Sequence, residues 1–327
     1  MKMFVYSMRE FDELPNFEAF AKEYGVEFSY TTEYPTPENY HLAKGFDAIS
    51  IVTTPTPAEM IDVMKENGVK VISTRTIGYD HVDVERAKEI GVGICNVTYD
   101  PASVAEYTIM MILIGCRKMR YVMDKAAVQD YTLQGKLASQ LVNSTVGVIG
   151  TGRIGSKVIE ILKGFGSRIL AYDIYPNEKV GEMAEYVDLE TLYRESDIIT
   201  LHAPAFDDNY HMLDAKAFNM MKDGVGIVNC ARGQLIDTHA MIDNLTTGKI
   251  GFACLDVLEK ELGLYYNDLS GTIIDNHEMA ILKSFHNVFF APHMAFYTKE
   301  AVANMVENSI IGAKAYLNGE DHPFIIK

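Results

Sequence analysis

Four short stretches carry side chains that could move protons and grip an anion, and each follows an apolar run. They are His202-Ala203-Pro204, Cys230-Ala231-Arg232-Gly233, Asp256 with Glu259 and Glu261, and Ala291-Pro292-His293. Histidine exchanges protons near neutral pH, and arginine holds a carboxylate through paired hydrogen bonds. An acid that protonates a developing alkoxide, beside a cation that grips the substrate, suits reduction of a carbonyl. A carboxylate next to the histidine would favour the imidazolium and fix the ring. Glu259 and Glu261 have the same strand parity, so spacing leaves the partner open between them. Taken singly, each residue also has a plainer reading, a loop histidine or an arginine in a surface ion pair. His81, His211, His239, His277, His286 and His322 fall in expected turns or exposed helices and read as background. No His or Cys group has metal-ligand spacing.

The stretch that must position these residues is VGVIGTGRIGSKVIEILKGFGSRILAYD, residues 146–173. An apolar run leads into Gly150, Gly152 and Gly155 in a G-x-G-x-x-G turn. Ile154, Val158, Ile159 and Leu162 then recur at helical spacing, and a second apolar run ends at Asp173, 18 residues beyond Gly155. Strand, glycine turn, helix, strand and acid occur in the order that dinucleotide binding requires. Gly150 permits the tight turn, Gly152 lets a pyrophosphate approach, and Gly155 lets helix and strand pack closely. The N–H groups at the helix start would hold the phosphates. Asp173 would accept from a ribose diol and repel a 2′-phosphate, which selects NAD.

At 327 residues the chain has room for two domains. A 48% hydrophobic and 23% charged composition is that of a globular protein. The net charge of −16 argues against nucleic acid or an anionic membrane as partner. It also means that a site for anions must carry its own positive groups. Cys95, Cys116, Cys230 and Cys254 show no C-x-x-C spacing and read as thiols in a reducing compartment. The N-terminus meets acids by Glu10 and has no cleavage signature. The apolar stretch 104–116 contains Glu106 and is too short to span a bilayer. These features predict a cytoplasmic protein with no membrane partner.

Residues 1–99 alternate strand patterns (3–7, 48–52, 69–73, 92–96) with amphipathic helices (17–24, 57–67, 84–90), which implies a parallel sheet covered by helices. A long helix is expected over 102–128. Six strands follow, at 145–149, 168–172, 197–201, 225–229, 251–256 and 288–291, enough for a complete dinucleotide-binding sheet. The last helix, 298–318, is left over and should return to the first domain. The expected architecture is α/β, two Rossmann-like or flavodoxin-like domains with a cleft between them. Residues 1–100 plus 297–327 would form a discontinuous substrate-binding domain and 101–296 the NAD-binding domain, with hinges near 99–101 and 295–298.

At this point the chain resembles the NAD-dependent D-2-hydroxyacid dehydrogenases, most closely their D-lactate dehydrogenase branch. The resemblance rests on STRTIGYDHVD (73–83), NVTYDPASVAEY (96–107), VIGTGRIG (148–155), NCARGQLID (229–237), ACLDVLEKE (253–261) and APHMAFYT (291–298). It implies that Arg232 binds and polarises a 2-oxo acid, that His293 is the acid/base, and that Glu261 is its paired carboxylate. Asp256 would contact the nicotinamide amide. Arg153, Ile154, Ala203, Pro204, Asn209, Cys230 and Ala231 match cofactor-contacting positions. Tyr99, the N–H groups of Ile77 and Gly78, and Phe296 match the substrate site. The implied reaction is reversible reduction of a 2-oxo acid to the (R)-2-hydroxy acid, in a homodimer built through the nucleotide domain. Formate-oxidising relatives carry Gln at the position of Glu261. Many D-lactate enzymes carry Tyr at the position of Val52, so the smaller residue implies room beside C3 of the substrate. A nucleotide-sensing corepressor of the same fold is the alternative from another class.

Overall fold

The computed structural model describes residues 1–261 and 263–327. The chain divides into two compact units, Met1–Asp100 with Tyr297–Lys327, and Pro101–Phe296.

The first unit is built on five parallel strands: β1 Lys2–Val5, β2 Glu27–Tyr30, β3 Ala48–Ile51, β4 Val71–Thr74 and β5 Gly93–Cys95. Their order is β2-β1-β3-β4-β5. β3, β4 and β5 are buried throughout, as befits strands covered on both faces. β2 escapes the sequence pattern because it is an edge strand whose residues remain largely exposed. The helix Lys299–Asn318 packs on this sheet through Val306, Ile310 and Ala313, against Met3, Val5 and Phe17. Thr298 caps it by accepting from Ala301 N.

An ion pair is buried outright in this unit. Arg75, fully enclosed, donates to both carboxylate oxygens of Glu13, at 3.0 and 3.3 Å. It also donates to Ser50 Oγ at 3.0 Å and to the carbonyls of Tyr6 and Ser7. Burial holds the guanidinium below its ordinary value, and the Glu13 carboxylate offsets part of that. The network holds the exits of β1, β3 and β4 in register just before residues 76–78.

The second unit carries seven parallel strands: β6 Thr145–Ile149, β7 Arg168–Tyr172, β8 Glu185–Tyr186, β9 Ile198–Leu201, β10 Val225–Asn229, β11 Ile250–Leu255 and β12 Val288–Phe290. The order β12-β11-β10-β9-β6-β7-β8 reverses direction between β6 and β9, where ligands bind open parallel sheets. The two-residue edge strand β8 is too short to leave a period in the sequence. Two apolar clusters, one containing Ile199, Phe218 and Ile227 and the other Val148, Val158 and Val228, form the core.

The single helix expected over 102–128 is two, Ala102–Cys116 and Met119–Ala127, separated at Lys118 in left-handed conformation (φ 50°). Their burial explains the break. The first is apolar nearly all round and packs into the core. There Gly115 lies so close to the Phe252 ring that a Cβ would sit 2.1 Å from it. The second buries none of its residues.

Candidate active site

The dinucleotide turn begins where β6 ends. Gly150 is left-handed (φ 93°), and a Cβ there would lie 2.6 Å from Ala203 N. Gly155 sits against Gly150 O, which a Cβ would approach to 1.9 Å. Only glycine fits either position. Gly152, in contrast, has nothing within 4 Å of where its Cβ would be. It caps the helix Arg153–Phe165, whose buried Val158, Ile159 and Leu162 lock it to the sheet. An open approach to the positive end of a buried helix suits a pyrophosphate. Arg153 is exposed and Ile154 half-buried on the first turn of that helix.

Asp173 stands immediately beyond β7, half-buried. Its Oδ2 accepts from Thr151 N at 2.5 Å and Thr151 Oγ1 at 3.1 Å, and its Oδ1 from Tyr175 N at 2.9 Å. Thr151 Oγ1 in turn bonds the Tyr186 hydroxyl at 2.7 Å. The acid is thus fixed beside the glycine turn. These residues fit NAD, with the turn and helix start for the phosphates and Asp173 for the ribose diol.

Beyond β9, His202 N donates to Ile149 O at 2.7 Å, which seats the 202–204 segment on the glycine turn. The His202 ring meets Thr200 Oγ1 at 3.0 Å, and burial pushes the imidazole down to about 3. It is a neutral packing residue and no proton donor at physiological pH. Asn209 uses its side chain on its own loop, accepting from Phe206 N at 2.7 Å and donating to Pro204 O at 2.8 Å.

Beyond β10, Asn229 shapes the Cys230-Ala231-Arg232 turn. Its Oδ1 accepts from Ala231 N and its Nδ2 donates to Arg232 O, both at 2.9 Å. In the sequence, the signal for this turn is a lone Asn that closes an apolar strand. Arg232 is half-buried and donates from Nη1 to Ala231 O at 2.8 Å. Burial, then the neighbouring Asp256 charge, push the Cys230 thiol up, so it stays protonated and uncharged.

Beyond β11, Asp256 is fully buried and holds three successive N–H groups. Its carbonyl accepts from His293 at 2.7 Å, and its carboxylate from Met294 at 2.7 Å and Ala295 at 2.9 Å. Burial raises its carboxyl, and the two N–H bonds draw it back. His293 itself is left-handed (φ 55°). Its Nδ1 lies 2.7 Å from Glu261 Oε1, and Glu261 Oε2 accepts from Leu258 N at 2.9 Å. A carboxylate can only accept, so Nδ1 carries the hydrogen and Nε2 is left to exchange protons. The Tyr266 hydroxyl donates to His293 O at 2.9 Å, and Phe296 meets the imidazole edge-on with centroids 6.4 Å apart.

The choice that strand parity left open is made by geometry. Glu259 points elsewhere, to His211 at 2.7 Å, so His211 is paired rather than background. In the first unit Ile77 O accepts from Asn96 Nδ2 at 2.8 Å and Gly78 O from Thr76 Oγ1 at 2.6 Å. Tyr99 is half-buried, next to Thr98 O, which Asn308 Nδ2 holds at 2.6 Å. Among the described residues no three His, Cys, Asp or Glu side chains are grouped to hold a metal ion.

A dinucleotide-binding sheet with an arginine and a histidine–carboxylate pair beyond its strand ends is the plan of a nicotinamide-dependent oxidoreductase. Residues 109–295 match the family described as D-isomer specific 2-hydroxyacid dehydrogenase, NAD binding domain. An aromatic 2-oxoacid reductase of Clostridium sporogenes is 43% identical over 319 residues, 97% of this chain and 96% of its own. A D-lactate dehydrogenase of Lactiplantibacillus plantarum is 42% identical over 321 residues, again 97% and 96%. The solved structure of a D-2-hydroxyisocaproate dehydrogenase superposes with a TM-score of 0.90 at 36% identity, covering 100% of this chain and 99% of that one. The chain belongs to the D-isomer specific 2-hydroxyacid dehydrogenases and is an NAD-dependent oxidoreductase acting on CH–OH donors.

If Asp173 binds the ribose diol, removing it takes away both those hydrogen bonds and the repulsion of a 2′-phosphate. Asp173→Ala should narrow the preference for NAD over NADP in kcat/KM by about tenfold or more, some 1.4 kcal/mol. An unchanged ratio would remove Asp173 from cofactor selection.

Proposed function

We propose that this enzyme reduces 2-oxo acids with bulky as well as small side chains to (R)-2-hydroxy acids, with His293 as acid/base. The observation that carries the reading is the 2.7 Å His293–Glu261 contact, which commits Nδ1 and leaves Nε2 for the substrate oxygen. NADH, when bound, supplies the hydride. Arg232 holds the substrate carboxylate and polarises its carbonyl, aided by Ile77, Gly78 and Tyr99. His293 delivers the proton to oxygen as charge develops there, and Glu261 steadies the imidazolium. The resemblance places Asp256 against the nicotinamide amide, whereas in the structure it is fully enclosed and its carboxylate holds the Met294 and Ala295 N–H groups. Arg153, Ile154, Ala203, Pro204, Asn209, Cys230 and Ala231 line the rest of the cofactor site.

The breadth of substrate is supported by Val52, a small side chain only half-buried beyond β3. Relatives acting on aromatic 2-oxo acids and on D-2-hydroxyisocaproate point the same way. These dehydrogenase relatives give the corepressor alternative no support. A second copy of the chain is proposed to cover the exposed Met123, Val128, Tyr131, Leu133 and Leu137, an apolar run that a lone chain would leave to water. Light scattering that reads a monomer at micromolar concentration would reject it. Four free thiols suit the reducing cytoplasm.

The test is NADH oxidation against a panel of 2-oxo acids. Phenylpyruvate and 2-oxoisocaproate should be reduced as well as pyruvate. A pyruvate preference above about a thousandfold, roughly 4 kcal/mol, would refute the breadth.

Proton delivery has its own test. Reduction needs the imidazolium and oxidation the neutral ring, and the Glu261 carboxylate stands 2.7 Å from Nδ1 as the counter-charge to a protonated ring. In Glu261→Gln the acceptor remains and the charge is gone. The alkaline limb of kcat/KM for reduction should therefore move to lower pH, and oxidation should begin at lower pH. Glu259→Gln should leave both limbs in place. A shift only in the Glu259 variant would reassign the partner.

A further inference from the structure

A second histidine–carboxylate pair takes its carboxylate from the same loop as the first and uses different atoms throughout. His211 Nε2 is 2.7 Å from Glu259 Oε1. Glu259 Oε2 accepts from Thr238 twice, from Oγ1 at 2.6 Å and from N at 3.1 Å. Burial pushes the Glu259 carboxyl up, but the bonds from His211 and Thr238 outweigh it and hold the group below its ordinary value. It is therefore an anion with donors on both oxygens, a fixed point in the fold. The other groups facing this pair are Asp237, 3.9 Å from His211 Nδ1, and Tyr210, stacked on the His211 ring at 3.9 Å.

Three segments meet at this point. Glu259 belongs to the loop that runs from Asp256 to Glu261, and the preceding Leu258 N–H is the donor that holds Glu261 Oε2 at 2.9 Å. His211 N donates to Gln234 O at 2.9 Å and Leu213 N to Leu235 O at 3.0 Å, which ties its segment to the turn after Arg232. That turn packs directly on the Glu259 backbone. A Cβ on Gly233 would lie 2.1 Å from Leu258 C and 2.4 Å from Glu259 N. Loosening Glu259 would release both the loop that presents Glu261 and the turn that presents Arg232. Thr238, first residue of the helix Thr238–Thr246, anchors the whole to a buried helix start.

We propose that His211, Glu259 and Thr238 form a positioning brace that holds Glu261 against His293 and keeps Arg232 in place, without themselves touching the reacting atoms. The proposal rests on the assignment of His293, Glu261 and Arg232 made above.

The experiment measures kcat, KM for NADH and the alkaline limb of kcat/KM for reduction in wild type and variants, with Tm for each. Wild type and Glu261→Gln come first. If wild type reduces no 2-oxo acid, or Glu261→Gln leaves the limb unmoved, the site assignment fails, and the brace with it. With the assignment standing, His211→Phe and Glu259→Ala should lower kcat by about tenfold to a hundredfold, the cost of a small misplacement. KM for NADH should change little, and the limb should move to lower pH as Glu261 loosens. His211→Gln and Glu259→Gln, which keep a donor and an acceptor, should recover most of kcat and the limb. Wild-type kcat and limb in both disruptive variants would overturn the proposal. So would a loss of kcat that follows Tm with the limb unmoved, since the pair would then only stabilise the fold. If Glu259→Ala does not fold, His211→Phe decides, and if neither folds the pair is structural and the proposal falls.

Discussion

A single residue, Asp256, governs the placement of His293. It offers its carbonyl and both carboxylate oxygens to the N–H groups of His293, Met294 and Ala295, one acceptor for each. A side chain with a Cβ gives up about 1–2 kcal/mol to stand in left-handed backbone, where His293 stands. A carboxylate buried without partners would cost far more. Each cost is offset by the other, because the turn supplies donors to the acid and the acid fixes the turn. The rest of the proposed machinery is arranged around the resulting direction of the imidazole.

The sheet makes that arrangement possible. β10, β11 and β12 pair in parallel, and at their carboxyl ends Asn229 stands opposite Leu255 and Leu255 opposite Phe290. Their carboxyl ends therefore deliver Arg232, Asp256 and His293 to one edge from positions far apart in sequence. Parallel strands pay for this with burial on both faces, complete in β10 and over residues 253–255 of β11, which is why these runs are apolar. Backbone must then meet backbone above the strand ends. It does so at Gly150, Gly155 and Gly233, three positions where a Cβ would lie between 1.9 and 2.6 Å from main-chain atoms.

Charge sets a second constraint. A chain with 45 acidic and 29 basic residues repels the anions it must bind. The positive field of the proposed site is local, from Arg232 and the N–H groups at a helix start rather than from a basic surface. In the first unit the buried Arg75 is a different case, since its charge is matched internally by Glu13 and serves register rather than ligand binding.

The sequence by itself determined the dinucleotide turn, the alternation of strand and helix, and the candidate residues beyond β9 to β12. These follow from local rules: glycine where no Cβ fits, apolar runs where both faces are covered, polar residues where strands end. It missed β2 and β8, because an exposed or two-residue edge strand carries no apolar period. It ran two helices together at Lys118, because burial rather than helical propensity separates them. It could not choose between Glu259 and Glu261, which share strand parity, nor see that His211 would be paired. Only the tertiary structure decided these points. The partner of a carboxylate is set by which donor the fold brings within 2.7 Å, and His211 and His293 reach their carboxylates across separations of 48 and 32 residues. Local spacing holds no information about a distance closed by the packing of a whole sheet.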